Sequence, residues 1–268
     1  MRGTILAVLA AVVGVVTVVY LFPGKHRSEL RVFTSVRAHA EMVIEIVGSD
    51  IEVGVIAAEK GDTPTDVQKQ AMKATQILIT TGLPFEQDLI EHGRKLNPEL
   101  KILDLFSGAE GDNPYIWLDP IKASVQAGKI RDVLTEADPS RKETFEKNCD
   151  ALIDRINRLH LQIEQKTASL KGRSVYTTGP EFNHFLARYG LVDTEVQMEL
   201  TPASIRTLTQ QALAENACAV FVTDGDDRGA IQNTADGLPV PVIIGDAYTS
   251  NFYDRLSVVA DKLSKKNP

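Results

Sequence analysis

Cysteine is scarce: two in 268 residues, Cys149 and Cys218, with no C-x-x-C spacing. That is too few for a disulfide scaffold; the pair reads as buried thiols, with a single bridge between them left open. A basic surplus is also missing. Lys plus Arg number 29 against 36 Asp plus Glu, for a net charge of -7, so no basic surplus is available to neutralise a phosphate backbone, which argues against nucleic-acid binding. Histidine occurs five times (His26, His39, His92, His160 and His184), with no H-x-H or H-E-x-x-H pair. No G-x-S-x-G elbow, phosphate-binding G-x-x-x-x-G-K-[ST] or Rossmann G-x-G-x-x-G stands anywhere in the chain, and neither cysteine has a reactive setting. An enzyme is therefore not expected.

What is present is ordinary globular usage, 43% apolar and 24% charged, enough chain for one large domain or two small ones sharing an interior. The first uncharged run, Thr4 to Phe22, is nineteen residues, long enough as a helix to cross about 30 Å of hydrocarbon. It closes on Tyr20, Leu21 and Phe22 rather than a small-x-small site, so an uncleaved anchor is expected rather than a cleaved signal, with a buried core helix as the alternative. Lys25, Arg27 and Arg31 outnumber Arg2, so a count of positive charges alone would keep the globular part in the cytoplasm.

Beyond a polar linker, strand-like and helix-like segments alternate. Strands are predicted at Leu30–Thr34, Ile51–Ile56, Gln76–Thr80 and Lys101–Leu105, with helices at Ala38–Val47, Asp66–Ala74 and Phe85–Leu96. The second half repeats the alternation, with strands at Ser174–Thr177, Ala219–Thr223 and Pro241–Ile244, and helices near Glu181–Tyr189, Pro202–Glu215, Ala230–Ala235 and Ser250–Leu263. This order predicts parallel sheets with helices on their faces. Between the halves Phe145, Cys149, Leu152, Ile156, Leu159 and Ile163 recur at spacings of four and three. They predict one long helix from Ser140 to Leu170 with a single apolar stripe, packed under both halves. The expected class is α/β, two lobes with parallel sheets bridged by one long helix and preceded by a transmembrane or signal helix. The expected division is 1–29 anchor and linker, 30–138 first lobe, 139–172 connecting helix and 173–268 second lobe. Ligands of such sheets sit beyond the carboxyl ends of the strands.

Four segments carry a family resemblance. Asn113 to Pro120, NPYIWLDP, resembles the D-P-H-x-W-L-D-P signature of the zinc/manganese-type solute-binding proteins of ABC importers. Asp138-Pro139 followed by Phe145 and Asn148 is similar to that family's entry into its spine helix. Ala74 to Glu86 keeps the family's Gly82 and Glu86, and Phe182 to Leu191 (FNHFLARYGL) resembles its F-x-Y-F-A-x-x-Y-G-L segment. The resemblance covers about Val32 to Leu263. It implies two α/β lobes on one helix, an extracytoplasmic location (periplasm or cell surface) by way of the N-terminal helix, an ABC permease partner, and Zn2+ or Mn2+ as the transported ligand.

The family's ligands, three histidine positions and one acid, are mostly replaced here. The stretch matching the first, Ala58 to Val67, is shortened and holds no histidine. The second position is Tyr115, whose neutral phenol is a weak zinc ligand unless the metal drives its deprotonation. The third falls on Gly179, with Glu181 two residues away and able to reach inward only if the loop is rearranged. The fourth is Asp246, equally readable as a turn carboxylate. Asp224, with Asp226 and Asp227, forms a second acidic group; its twelfth position is Ala235 rather than Glu, which rejects an EF-hand. The candidate metal set is therefore Asp246, Glu181, Asp224 and Tyr115, richer in oxygen than the family's. His184 stands where the family has an aromatic, and His39, His92 and His160 are expected to be surface or packing residues. The alternative is a module that keeps the fold at the envelope and binds no metal.

Overall fold

The structure is a computed structural model and describes residues 30–48, 51–57, 61–108, 111–223, 228–235, 238, 240–248 and 251–265. The Thr4–Phe22 run and Asp224, Asp226 and Asp227 lie outside the described residues. Among the described residues no helix is long and apolar enough to cross a membrane.

The first lobe runs β1 (Arg31–Val36), α1 (Arg37–Val47), β2 (Glu52–Ala57), α2 (Asp66–Ala71), β3 (Ile77–Thr80), α3 (Glu86–Leu96), β4 (Lys101–Asp104) and α4 (Pro120–Ala137). After α5 (Lys142–Thr167) the second lobe follows: β5 (Ser174–Thr177), α6 (Asn183–Arg188), β6 (Val192–Glu195), α7 (Pro202–Ala214), β7 (Ala219–Thr223), α8 (Arg228–Ala235), β8 (Val242–Gly245) and α9 (Phe252–Lys265). Each lobe is built on a four-stranded sheet, in the orders β2-β1-β3-β4 and β6-β5-β7-β8, and every pairing is parallel. The central strands β3 and β7 are buried along their whole length, the reason they read as unbroken apolar runs, since helices cover both faces of such sheets.

The order reverses at the same place in both sheets, between β1 and β3 and between β5 and β7. A crevice opens at the carboxyl ends of strands that part in this way. Val36, Thr80, Thr177 and Thr223 terminate those four strands.

The long helix is present, with trimmed ends. α5 holds 26 residues, about 39 Å, and its first and last turns, Pro139–Arg141 and Ala168–Leu170, tighten to 3-10 geometry. Its stripe, Phe145 to Ile163, belongs to one apolar cluster with Met42 and Ile46 of α1, Ile130 and Leu134 of α4, and Leu256 and Ala260 of α9. The largest cluster thus runs through both lobes, with one smaller cluster on the outer side of each sheet, at β7 and at β3. Two elements are not foreseen from the sequence pattern, the eighteen-residue α4 and the strand β6.

Candidate functional site

β5 ends at Thr177 and the chain turns through Thr178, Gly179, Pro180 and Glu181 into α6. Thr178 ties this turn to the end of β7: its hydroxyl accepts from the Thr223 amide at 3.1 Å, and its own amide donates to the Phe221 carbonyl at 3.1 Å. Glu181 is buried, 2% exposed. A β-carbon placed on Gly179 would stand 2.5 Å from Glu181 Oε2 and 2.5 Å from Thr223 Oγ1. The carboxylate therefore lies against Gly179 and the end of β7. The Thr223 hydroxyl, 2% exposed, has no hydrogen-bond partner among the described residues.

In the first lobe the turn after β3, the counterpart of β7, is built around Glu86. Gly82 takes a positive φ of 86°, open to glycine at no steric cost. The Glu86 carboxylate accepts from the Thr81 and Gly82 amides at 2.9 and 2.7 Å. Burial raises its pKa, opposed by these bonds and by the Ser35 hydroxyl.

The NPYIWLDP segment joins the lobes. Trp117 is fully buried and its indole N–H donates to the Ala247 carbonyl at 3.1 Å. Tyr115 packs on it with ring centroids 5.2 Å apart, and its hydroxyl lies 3.3 Å from that of Tyr248. The Asn113 amide donates to the Pro180 carbonyl at 2.8 Å. Asp119, 3% exposed, caps α4 through the Ile121 amide at 2.9 Å and receives the Arg188 guanidinium on both oxygens, at 2.8 Å for each shortest contact. His184 completes the seam. Its Nδ1 accepts from the Lys122 ammonium at 3.0 Å, which leaves Nε2–H to donate to the Asn113 carbonyl at 3.0 Å. Burial lowers the His184 pKa; the Asn113 bond opposes that and the Lys122 charge adds to it.

Asp246 follows β8 and is half-buried, its Oδ1 accepting from the Tyr248 amide at 2.9 Å. It also lines a pocket of about 60 Å³ between β8 and α9, with Leu118, Phe182, Arg255 and Lys262 among the other walls. Glu181 and Asp246 thus both stand beyond strand ends of the second lobe, and Tyr115 meets Tyr248 two residues past Asp246. Among the described residues no three His, Cys, Asp or Glu side chains gather closely enough to hold a metal ion. Three histidines fall in helix packing. His39 is completely buried between Gln126, 3.3 Å away, and the Trp117 ring, and burial lowers its pKa to about 4. His160 pairs with the Tyr189 hydroxyl at 3.2 Å, and the Nε2 of His92 in α3 is buried. Two residues show their surroundings only in three dimensions. Thr223 gives no signal in AVFVT beyond a strand-terminal hydroxyl, and Glu86 is marked in sequence only as a kept position of the family segment, its turn-closing bonds appearing in the fold.

Comparison with known proteins agrees with this architecture. Residues 32–264 match the family ZnuA, described as zinc-uptake complex component A periplasmic. The metal ABC transporter substrate-binding lipoprotein ScbA of Streptococcus cristatus is 22% identical over 285 aligned positions, spanning 89% of this chain and 90% of that protein. The zinc-binding lipoprotein AdcA of Streptococcus pneumoniae is 29% identical over 136 positions, 47% of this chain and 27% of AdcA. A crystal structure of ZnuA superposes with a TM-score of 0.75 at 22% identity, covering 89% of this chain and 99% of that one. The laminin-binding protein Lbp of Streptococcus pyogenes reaches 0.70 at 18% identity, covering 87% and 98%. With the family matched from the first strand to the last helix, this chain belongs to the ZnuA family of metal ABC transporter substrate-binding proteins.

Proposed function

We propose that the chain is the extracytoplasmic solute-binding component of a metal ABC importer, working with a permease and its ATPase, and that its metal site is altered toward oxygen donors. The observation that carries this reading is at Gly179. The position matching a family histidine has no side chain, and the oxygens of Glu181 and Thr223 crowd the space a β-carbon would take. Carboxylates at Glu181, Asp224 and Asp246 with the phenol of Tyr115 form a harder donor set than imidazoles, which favours manganese over zinc as cargo. Binding is expected to be micromolar or weaker, because the imidazoles that zinc prefers are replaced. The chain acts as a binding protein in this reading, with no reaction to catalyse.

The test is metal titration of the full-length protein in detergent, followed by thermal unfolding. Cargo held at a hundredfold excess over its dissociation constant stabilises by about 2.7 kcal/mol, a rise in Tm of about 5–10 °C for a chain of this size. No shift with either Mn2+ or Zn2+ at millimolar concentration sinks the proposal.

One observation favours a second reading, a metal-free binding or scaffold module at the envelope. The Trp117–Ala247, Asn113–Pro180 and Arg188–Asp119 bonds hold the lobes together through the protein's own groups. On that reading Asp246→Ala and Glu181→Ala leave both metal response and permease association unchanged.

A further inference from the structure

Thr223 closes a strand whose other four residues, Ala219 to Val222, are apolar and buried. A threonine in such a place usually donates its hydroxyl to a nearby carbonyl, because a buried hydroxyl left without a partner loses its hydration and gains nothing in return. Here the hydroxyl has no partner among the described residues, although the residue is 2% exposed. Packing alone does not account for it, since valine has the same shape without the polar atom.

The hydroxyl is also aimed. The backbone of Thr223 is fixed by its amide bond to Thr178 Oγ1 at 3.1 Å and by the β7 pairing to β8, and a β-branched side chain has little χ1 freedom. Its Oγ1 and Glu181 Oε2 each lie 2.5 Å from one point, so the two oxygens are at most 5.0 Å apart. Hard divalent cations hold oxygen ligands at about 2.0–2.6 Å, a reach that spans such a pair. The place is the carboxyl end of β7, at the reversal of strand order in the second lobe, where the fold opens toward a ligand.

We infer that Thr223 is a neutral oxygen donor to the cargo cation beside the Glu181 carboxylate, and that it sets preference for a hard divalent cation over zinc. This inference rests on the proposed function. A hydroxyl adds a ligand without adding charge and offers nothing to a metal that prefers imidazole or thiolate.

The experiment uses full-length protein in detergent, with MnCl2 or ZnCl2 alone as the probe, titrated calorimetrically for wild type, Thr223→Val and Thr223→Ser. Thr223→Val is expected to weaken manganese binding by about tenfold and to leave zinc binding within about twofold. Thr223→Ser, which keeps the oxygen, is expected to stay within about threefold of wild type for manganese. The metal-free Tm of Thr223→Val should equal or exceed that of wild type, which checks that the variant folds. Manganese affinity unchanged in Thr223→Val overturns the inference while the proposed function stands. Wild type that binds neither metal overturns the proposed function, and this inference with it.

Discussion

Replacing Gly179 with alanine adds one methyl group and, in this structure, has nowhere to put it. The backbone there is outside the positive-φ region, so the cost is steric rather than conformational. Carbon and oxygen atoms in comfortable contact lie about 3.5 Å apart, whereas the new carbon would meet two oxygens at 2.5 Å. Glu181 can yield by swinging its carboxylate, at the expense of the buried place it holds. Thr223 yields less readily, because it is β-branched and sits in the sheet. Overpacking of this kind costs about 1–3 kcal/mol, which for a chain of this size lowers Tm by about 2–10 °C. Removing the carboxylate as well, in Gly179→Ala with Glu181→Ala, should recover at least half of the loss, a coupling of roughly 1 kcal/mol between residues in contact. The assay is thermal and urea unfolding of the four proteins of the cycle without metal. Gly179→Ala at wild-type stability, or a double variant whose losses simply add, would refute the claim that Glu181 occupies this space.

Further predictions concern the seam and the core. His39 has a folded pKa of about 4 against about 6.5 unfolded, so the unfolded chain takes up this proton first; its contribution is intact above pH 6.5 and falls by roughly 3 kcal/mol as pH drops to 4. Subtracting the stability–pH curve of His39→Gln from that of wild type should isolate this loss, since the half-buried Glu41 and the buried Glu86, shifted upward and hence of opposite sign, are common to both proteins. Arg188→Met leaves Asp119, 3% exposed, without its guanidinium and is expected to cost about 2 kcal/mol by urea unfolding, less than a fully buried pair because Arg188 itself is one-third exposed. Trp117→Phe removes the donor to the Ala247 carbonyl and should cost about 1–3 kcal/mol, with faster proteolysis of the native protein between the lobes.

The sheets are readable because their strands are buried on both faces and show as short apolar runs such as AVFVT and ILIT. α5 is readable because one unbroken stripe serves both lobes. α4 hides because its face mixes signals: Gln126 is buried, Val125 is 59% exposed and Gly128 stands mid-helix. β6 hides because its sequence VDTE holds one apolar residue, Val192, and that one is half exposed at the sheet edge. At the site the positions of Tyr115, Glu181 and Asp246 follow from sequence order, but their directions do not. Whether Glu181 faces inward depends on the turn set by Thr178 and Gly179, and the importance of Thr223 arises only from what surrounds it. Such facts belong to tertiary contacts between residues over forty positions apart.

The Asn113 and Trp117 bonds across the seam have one property in common: on the second lobe they end on main-chain oxygens, those of Pro180 and Ala247. A peptide oxygen survives nearly any substitution of its own residue, so these two anchors do not depend on which side chains positions 180 and 247 carry, unlike the Arg188 and His184 contacts beside them. On the proposed function, substitutions at 181, 223 or 246 would change what is gripped while these two main-chain anchors stay in place.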